Sequence, residues 1–246
     1  MENHLTHLDE FTDILANYQV SARAQQSLKS VKLVLLVAPS AGGRNTLINK
    51  LLASGRYNFI VSDTTRRPRI NNGILEQNGR EYWFRSEEQV LSDLKNGELL
   101  EAEVIHSQQV SGISIRELEK ASLDQKISVT DVDIGGIKNI LKAKPDTVAI
   151  LVLPPSFEEW QRRLNSRGQL HDSEYIRRMQ TAEKIFAESI TNKDLVVIIS
   201  DSVDRSAKQV DGIVNGEVDP KTQDEAHNLI QDLLNKTKQI LANNLR

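Results

Sequence analysis

The chain has 246 residues, with 31 Lys and Arg against 34 Asp and Glu, for a formal charge of −3. That balance excludes a protein that holds nucleic acid through overall charge, and the 39% apolar content is enough for one large domain with extensions or two modest ones. Without cysteine there is no disulfide framework, thiolate nucleophile or cysteine-ligated zinc, and the five histidines form no ligand-spaced cluster beyond one exposed pair. No window nears the ~18 apolar residues of a membrane span and the N-terminus is polar, so the expected compartment is the cytoplasm and no membrane or nucleic-acid partner is expected.

In chain order, Leu5, Leu8, Phe11, Ile14, Leu15 and Tyr18 recur at spacings of three and four, which predicts a helix over 3–19. The short run Lys32–Ala38 is almost continuously apolar, the pattern of a strand buried on both faces. A glycine-containing turn follows, and then Leu47, Ile48, Leu51 and Leu52 at helical spacing. Strand, tight turn and helix are the opening of a doubly wound α/β domain. Further strands are predicted at 58–62, 80–84, 100–105, 127–132, 147–153 and 195–200, the last three apolar enough to be central. Ser86 with Gln89, Ser114 with Glu117 and Ser156 with Glu159 have the spacing of capping boxes, and Gly97 and Gly168 are placed to stop helices. Between 58 and 105 the strands are short and polar on one side, with a turn at Asn71-Asn72-Gly73, so a small antiparallel insert is expected on the edge of the parallel core. From 222 onward Ala226, Leu229, Ile230, Leu233, Leu234, Ile240, Leu241 and Leu245 form an apolar stripe. Such a helix packs back on the domain, on the N-terminal helix, or on a second copy as a homodimer.

The turn after the first strand reads Ala38-Pro-Ser-Ala-Gly-Gly-Arg-Asn-Thr46. Its context suits a phosphate-binding loop, with backbone amides at a helix N-terminus where the dipole favours anions. Against the pattern GxxxxGK(S/T) only Gly43 is in register: Ala38 stands at the first glycine, Arg44 at the lysine and Asn45 at the metal-binding hydroxyl. A glycine-rich turn with no ligand accounts for this loop equally well. Ser62–Arg69 then crowds three arginines and three hydroxyl side chains into eight positions, with guanidinium forks suited to phosphate oxygens.

These segments, followed in order by Glu76 to Phe84 (E-x-x-G-x-x-Y-x-F), Gly97 to Glu101, Asp131-Val-Asp133 before a glycine pair, Pro154-Pro-Ser156 and Arg163 to Gly168 leading to Arg178, resemble the guanylate kinase family. The resemblance implies a P-loop NTPase-like, three-layer α/β fold with a parallel sheet, a small antiparallel GMP-binding insert, a helical lid and added terminal helices. It places an N-terminal helical extension at 1–30, the kinase-like domain at 31–203 with its insert at 58–115 and lid at 165–178, and a linker with an amphipathic helix at 204–246. It implies transfer of the γ-phosphoryl group of MgATP to GMP, giving ADP and GDP. Ser40, Ala41, Gly42, Gly43, Arg44, Asn45 and Thr46 match the ATP loop, with Asn45 and Thr46 as substitute metal ligands. Ser62, Arg66, Arg69 and Tyr82 match the positions that hold the GMP phosphate, and Glu101 and Asp133 the carboxylates that read guanine. Arg44, Asp131, Arg167 and Arg178 match the catalytic positions, Asp131 sharing a strand face with Asp133. The family's tyrosine and base-reading hydroxyl are not in place near Gln108–Ile113, where Ser111 or Ser114 is the available substitute. Arg162, Arg163 and Arg178 each follow a glutamate by four residues, Glu158, Glu159 and Glu174, the spacing of a solvated helix face. Trp83 and Trp160 read as packing residues, and His106 as a polar strand or loop residue. An intact arginine cluster beside an altered donor loop also fits a second reading, a catalytically impaired module that binds GMP or a phosphorylated peptide.

Overall fold

The computed structural model describes residues 4–71, 73–166 and 172–244. In chain order its helices are α1 (Leu8–Ala16), α2 (Ala22–Leu28), α3 (Arg44–Ala53), α4 (Glu87–Lys95), α5 (Ile115–Leu123), α6 (Ile137–Ala143), α7 (Phe157–Asn165), α8 (Asp172–Thr191), α9 (Val203–Val214) and α10 (Pro220–Asn244), with a 3-10 turn at Ile134–Gly136. The strands are β1 (Leu33–Val37), β2 (Tyr57–Phe59), β3 (Asp63–Thr64), β4 (Ile70–Asn71), β5 (Ile74–Leu75), β6 (Trp83–Phe84), β7 (Leu99–Ile105), β8 (Gln109–Ser114), β9 (Ile127–Asp131), β10 (Val148–Leu153) and β11 (Leu195–Ile199). They divide between two units, one made of Met1–Leu33, Arg56–Thr130 and Lys138–Thr147, the other of Val34–Gly55, Asp131–Ile137 and Val148–Arg246.

The second unit carries the most apolar strands. β1 is buried along its whole length and pairs with β10 in parallel, from Val34 opposite Val148 to Val37 opposite Leu151. β10 pairs in parallel with β11, from Ala149 opposite Leu195 to Leu153 opposite Ile199. Strands buried on both faces read as continuous apolar runs, which is why these were legible. β11 is not central, as its composition suggested, but ends this order. Gln223 of α10 stands where a further strand would, its side-chain amide accepting from Val197 N–H (2.8 Å) and donating to Val197 O (2.9 Å). The outer backbone groups of that residue are thereby satisfied. Of the packings open to its stripe, α10 takes the first: Ala226, Ile230, Leu233 and Leu234 are buried, and the helix lies on α8, β11 and α7 of its own unit. The stretch read as a linker before it contains α9, capped by Ser202, packed on α3 and tied to it by Lys50–Asp204 (2.5 Å).

In the first unit β2 pairs in parallel with β9, so the strand assigned to the start of the insert belongs to the parallel arrangement. The insert is a mixed sheet in the order β6-β3-β8-β7, antiparallel at β3–β8 and β7–β8 but parallel at β3–β6, where pure antiparallel pairing was expected. β8 was not predicted. Its Gly112 breaks the apolar alternation because a side chain there would press on the Glu101 carbonyl oxygen (2.5 Å) and the Ala102 Cβ (2.9 Å) of β7. His106 and Ser107 turn the hairpin between the two strands with φ of 51° and 57°. β4 and β5 pair antiparallel, Ile70 opposite Leu75 and Asn71 opposite Ile74; Asn72 of the turn read there lies outside the described residues.

The helix predicted over 3–19 is α1, shorter at both ends, and a second helix, α2, follows beyond the predicted range. Ser21 starts that second helix by capping it, its hydroxyl accepting from Ala24 N–H (3.2 Å). Phe11 and Leu5 are buried with Val90, Leu91, Leu94 and Leu99, and Leu8, Ile14, Leu15 and Tyr18 pack on that cluster, so the apolar stripe was read correctly. The Tyr18 hydroxyl donates to Leu99 O (2.6 Å) and accepts from Leu99 N–H (2.9 Å). Burial pushes the Tyr18 phenol up to about 12. Of the three capping boxes only Ser86 with Gln89 is complete. Ser156 caps α7, but Glu159 is drawn off by arginines, and the Ser114 hydroxyl makes no cap. Gly97, with φ of 67°, follows α4 as expected, whereas Gly168 lies outside the described residues.

Candidate functional site

The donor loop is built where β1 ends. Gly42 N–H closes a turn onto Pro39 O (2.9 Å), Ala41 takes a left-handed φ of 61°, and Gly43 takes a φ of 109° as the residue before α3. A side chain on Gly43 would collide with the Ser200 hydroxyl at the end of β11. Gly43 offers no side-chain cap, so the first amides of α3 stand open to an anion, as a phosphate-binding turn requires. Two residues not assigned a site role hold this loop. Trp160, fully buried and edge-on to Phe186, donates its indole N–H to Ser40 O (2.7 Å). Arg163 donates to Ser200 O (2.8 Å), and its Nη1 lies 3.6 Å from where a Gly43 Cβ would stand. Neither contact has a local sequence signal, because the partners are 120 and 37 residues apart.

Arg44 opens α3 and does not point away into solvent. Its Nη2 pairs with Asp131 Oδ2 at 2.7 Å, and its Nε donates to Asn45 Oδ1 at 3.4 Å. Asp131 closes β9, and Val132 N–H donates to Leu36 O (3.3 Å), which brings this acid beside the end of β1. Asp133 is not on the strand with Asp131, as the two-residue spacing suggested. It is the extended residue that caps the 3-10 turn, because the chain leaves the strand after Asp131. Thr46 is exposed on α3.

On α7 and α8 the i,i+4 pairs hold for Arg163 with Glu159 (2.8 Å) and Arg178 with Glu174 (2.8 Å). Arg162 pairs with Glu159 (2.6 Å) and not with Glu158, which binds Lys236 of α10 (3.0 Å). The hydrogen bonds from Arg162 and Arg163 hold the Glu159 carboxyl down at about 2, so it stays ionised and keeps steering Arg163. Arg167 falls outside the described residues, as do the lid positions up to 171; Tyr175 of α8 donates to Gln161 of α7 (2.9 Å).

The arginine cluster lies in the first unit. Arg66 is buried and gripped by Glu76, whose carboxylate accepts from Nη1 (2.5 Å), Nη2 (2.9 Å) and the Arg69 amide (2.8 Å). The guanidinium lies over the Tyr82 ring at 4.7 Å and near Phe84 at 5.5 Å. Hydrogen bonding to Glu76 raises the Arg66 pKa further, so its charge is permanent. Arg66, Tyr82 and the Arg69 backbone thus meet around Glu76, a residue whose role the sequence did not disclose. The Arg69 side chain is exposed and Ser62 is half-buried. The threonines of the cluster face β8 instead: Thr64 accepts from Ser111 Oγ (2.9 Å) and Thr65 from Val110 N–H (2.9 Å). Beneath them Asp63 is almost fully buried and held by Arg85 (2.8 Å) and Arg116 (3.0 Å); burial pushes its carboxyl up against the pull of both cations. Glu101 stands on β7 of this unit, and Asp133 belongs to the other. Of the substitute base readers, Ser111 is engaged with Thr64, and Ser114 Oγ is buried with no hydrogen-bond partner among the described residues. Trp160 is a packing residue as read, while His106 turns a hairpin.

An uncapped helix N-terminus after a buried parallel strand, a basic residue at its first position and an acid from the neighbouring region define a P-loop-type, nucleotide-binding α/β protein. The guanylate kinase family model matches residues 30–217. Among curated proteins, the guanylate kinase of Porphyromonas gingivalis is 35% identical over 177 residues, covering 68% of this chain and 92% of that protein. That of Homo sapiens is 32% identical over 189 residues, covering 75% and 93%. The crystal structure of guanylate kinase from Anaplasma phagocytophilum superposes with a TM-score of 0.52 at 25% identity, over 82% of this chain and 93% of that one. The chain belongs to the guanylate kinase family. Among the described residues no helix is long and apolar enough to cross a membrane.

Proposed function

We propose that this protein is an ATP:GMP phosphotransferase, forming ADP and GDP by positioning and charge stabilisation without a covalent intermediate. The observation that carries the reading is the Arg66 clamp: a buried guanidinium, fixed bidentately by Glu76 and stacked on Tyr82, is a preset phosphate contact. Ser62, Arg66, Arg69 and Tyr82 hold the GMP phosphate, and Glu101 and Asp133 accept from guanine N1 and the exocyclic amine, where adenine offers no donor. The amides from Ser40 to Thr46 cradle the phosphates of ATP, with Trp160 and Arg163 fixing the loop. Arg178, steered by Glu174, and Arg167 offset charge on the group in transfer.

Family kinases carry ATP with Mg²⁺, but the side chains set out for the cation do not fit it. The amide oxygen of Asn45 accepts from the Arg44 guanidinium, which is also ion-paired with the Asp131 carboxylate, and Thr46, the other candidate, is exposed on α3, a single hydroxyl with no carboxylate left to share a cation with it. No step is assigned to a protein-held metal. A cation that arrives with the triphosphate is held by its phosphate oxygens and water.

The test is the initial rate of ADP and GDP formation from ATP and GMP in the presence of Mg²⁺, with AMP, CMP and UMP as parallel acceptors. Stoichiometric products with GMP preferred are expected. Failure with every acceptor, in a folded sample that binds GMP, refutes the kinase reading.

A further inference from the structure

We infer that the Arg44 guanidinium takes the place of the loop-bound divalent cation, so that this donor loop grips a nucleoside triphosphate with an affinity that does not depend on Mg²⁺. The inference rests on the proposal that the loop binds ATP. In P-loop proteins the cation sits between the hydroxyl that follows the basic residue and an acid at a strand end. Here the hydroxyl position is Asn45 and the acid is Asp131, and one side chain bridges both: Arg44 reaches Asn45 Oδ1 at 3.4 Å and Asp131 Oδ2 at 2.7 Å. Mg²⁺ requires oxygens at about 2.1 Å in a near-octahedral set and gives up water reluctantly. To enter, it would have to displace a permanent cation from between two oxygens that already bind that cation, against repulsion of like charges. A guanidinium in that position does the electrostatic work in another way. It is planar, weakly hydrated and matched to two phosphate oxygens at once, whereas an ammonium is a point charge. Asp131 then serves as the residue that orients the fork instead of as a metal ligand. About three-quarters of the Arg44 side chain is covered, so the arrangement is set within the loop and not left to a freely rotating surface arginine.

Isothermal titration of ATP into the full chain, once in EDTA and once in excess Mg²⁺, reads the dependence directly. The expected dissociation constants differ by less than about threefold. Arg44→Ala should weaken binding by about tenfold or more in both buffers. Arg44→Lys, which lacks the planar fork whose Nε and Nη2 reach Asn45 and Asp131 separately, should loosen both contacts and make binding at least about tenfold tighter with Mg²⁺ than with EDTA. Wild-type binding that falls tenfold or more in EDTA overturns this inference and leaves the kinase reading standing, as does unchanged EDTA binding by Arg44→Ala. If ATP binds in neither buffer while GMP binds, the inference and the assignment of ATP to this loop fall together.

Discussion

Glu76→Gln is the sharpest probe of the claim that Arg66 is a preset phosphate clamp. The side chains of the pair are 8% and 6% exposed, and the carboxylate accepts three donors. The amide keeps the shape, removes the charge and turns one acceptor into a donor that faces a guanidinium. Charge-assisted hydrogen bonds contribute about 1.5–3 kcal/mol each, and removing one partner of a buried pair costs about 3–5 kcal/mol because the other charge stays behind. Since glutamine keeps one acceptor, the low end applies, about 3 kcal/mol, or a fall in Tm of about 6–12 °C for a protein of this size. The released guanidinium also loses its orientation, and GMP affinity should fall about tenfold or more. Differential scanning calorimetry and GMP titration measure the two effects. A variant that melts within about 2 °C of the wild type with an unchanged GMP dissociation constant would refute the argument. Lost stability with full affinity would make the pair a structural strut only.

Other perturbations test the remaining contacts. Ala41 holds a left-handed φ of 61°, a strain of about 1–2 kcal/mol for a residue with a Cβ. Ala41→Gly should therefore raise stability by about 0.5–1 kcal/mol after the backbone entropy of glycine is offset, seen as a higher Tm; a lower Tm would show that Ala41 is unstrained. The Tyr18 phenol is raised to about 12, so its contribution to stability is intact below pH 10 and lost as pH rises through 12. Tyr18→Phe should cost about 1–3 kcal/mol at neutral pH and lose one phenolate step from the alkaline absorbance titration, the step nearest 12. Loss of a step near 10 instead would count against the burial. Gln223→Ala removes both partners of Val197 and should cost about 1–3 kcal/mol in urea denaturation, with Gln223→Glu also destabilising because a carboxylate cannot donate to the Val197 carbonyl. A wild-type midpoint in both variants would show that water replaces the side chain without loss.

What the sequence disclosed was what local pattern encodes. β1 and β10 are apolar runs, β9 sets β-branched Ile127, Val129 and Thr130 in a short strand pattern, and α3, α4 and α10 carry stripes at helical spacing, so their existence could be read directly. The donor loop was visible because a strand, a glycine pair and a helix adjoin in the chain. β8 was hidden because Gly112 has a packing task and not a patterning one. Asp133 was misplaced because strand periodicity was carried past the point where the chain turns. Of the site, residues such as Arg66 and Tyr82 were legible through motif spacing, but Glu76 as their anchor, Asp131 as the partner of Arg44, and Trp160 and Arg163 as supports of the loop depend on contacts between distant positions. The Arg162 pairing failed for a related reason: once Lys236 claims Glu158, Glu159 serves two arginines.

The two strand-edge contacts also differ in reach. Tyr18 meets Leu99 across 81 residues, and Gln223 meets Val197 across only 26. On the ribosome, where the chain emerges from its N-terminus, the first of these cannot form until β7 has been made, and Phe11 and its neighbours travel until then without the strand that covers them. The closing helix has no such interval, since β11 is already in place when Gln223 appears. The leading segment is therefore the one exposed to capture by other chains during synthesis, and the completion of β7 is the moment at which that exposure ends.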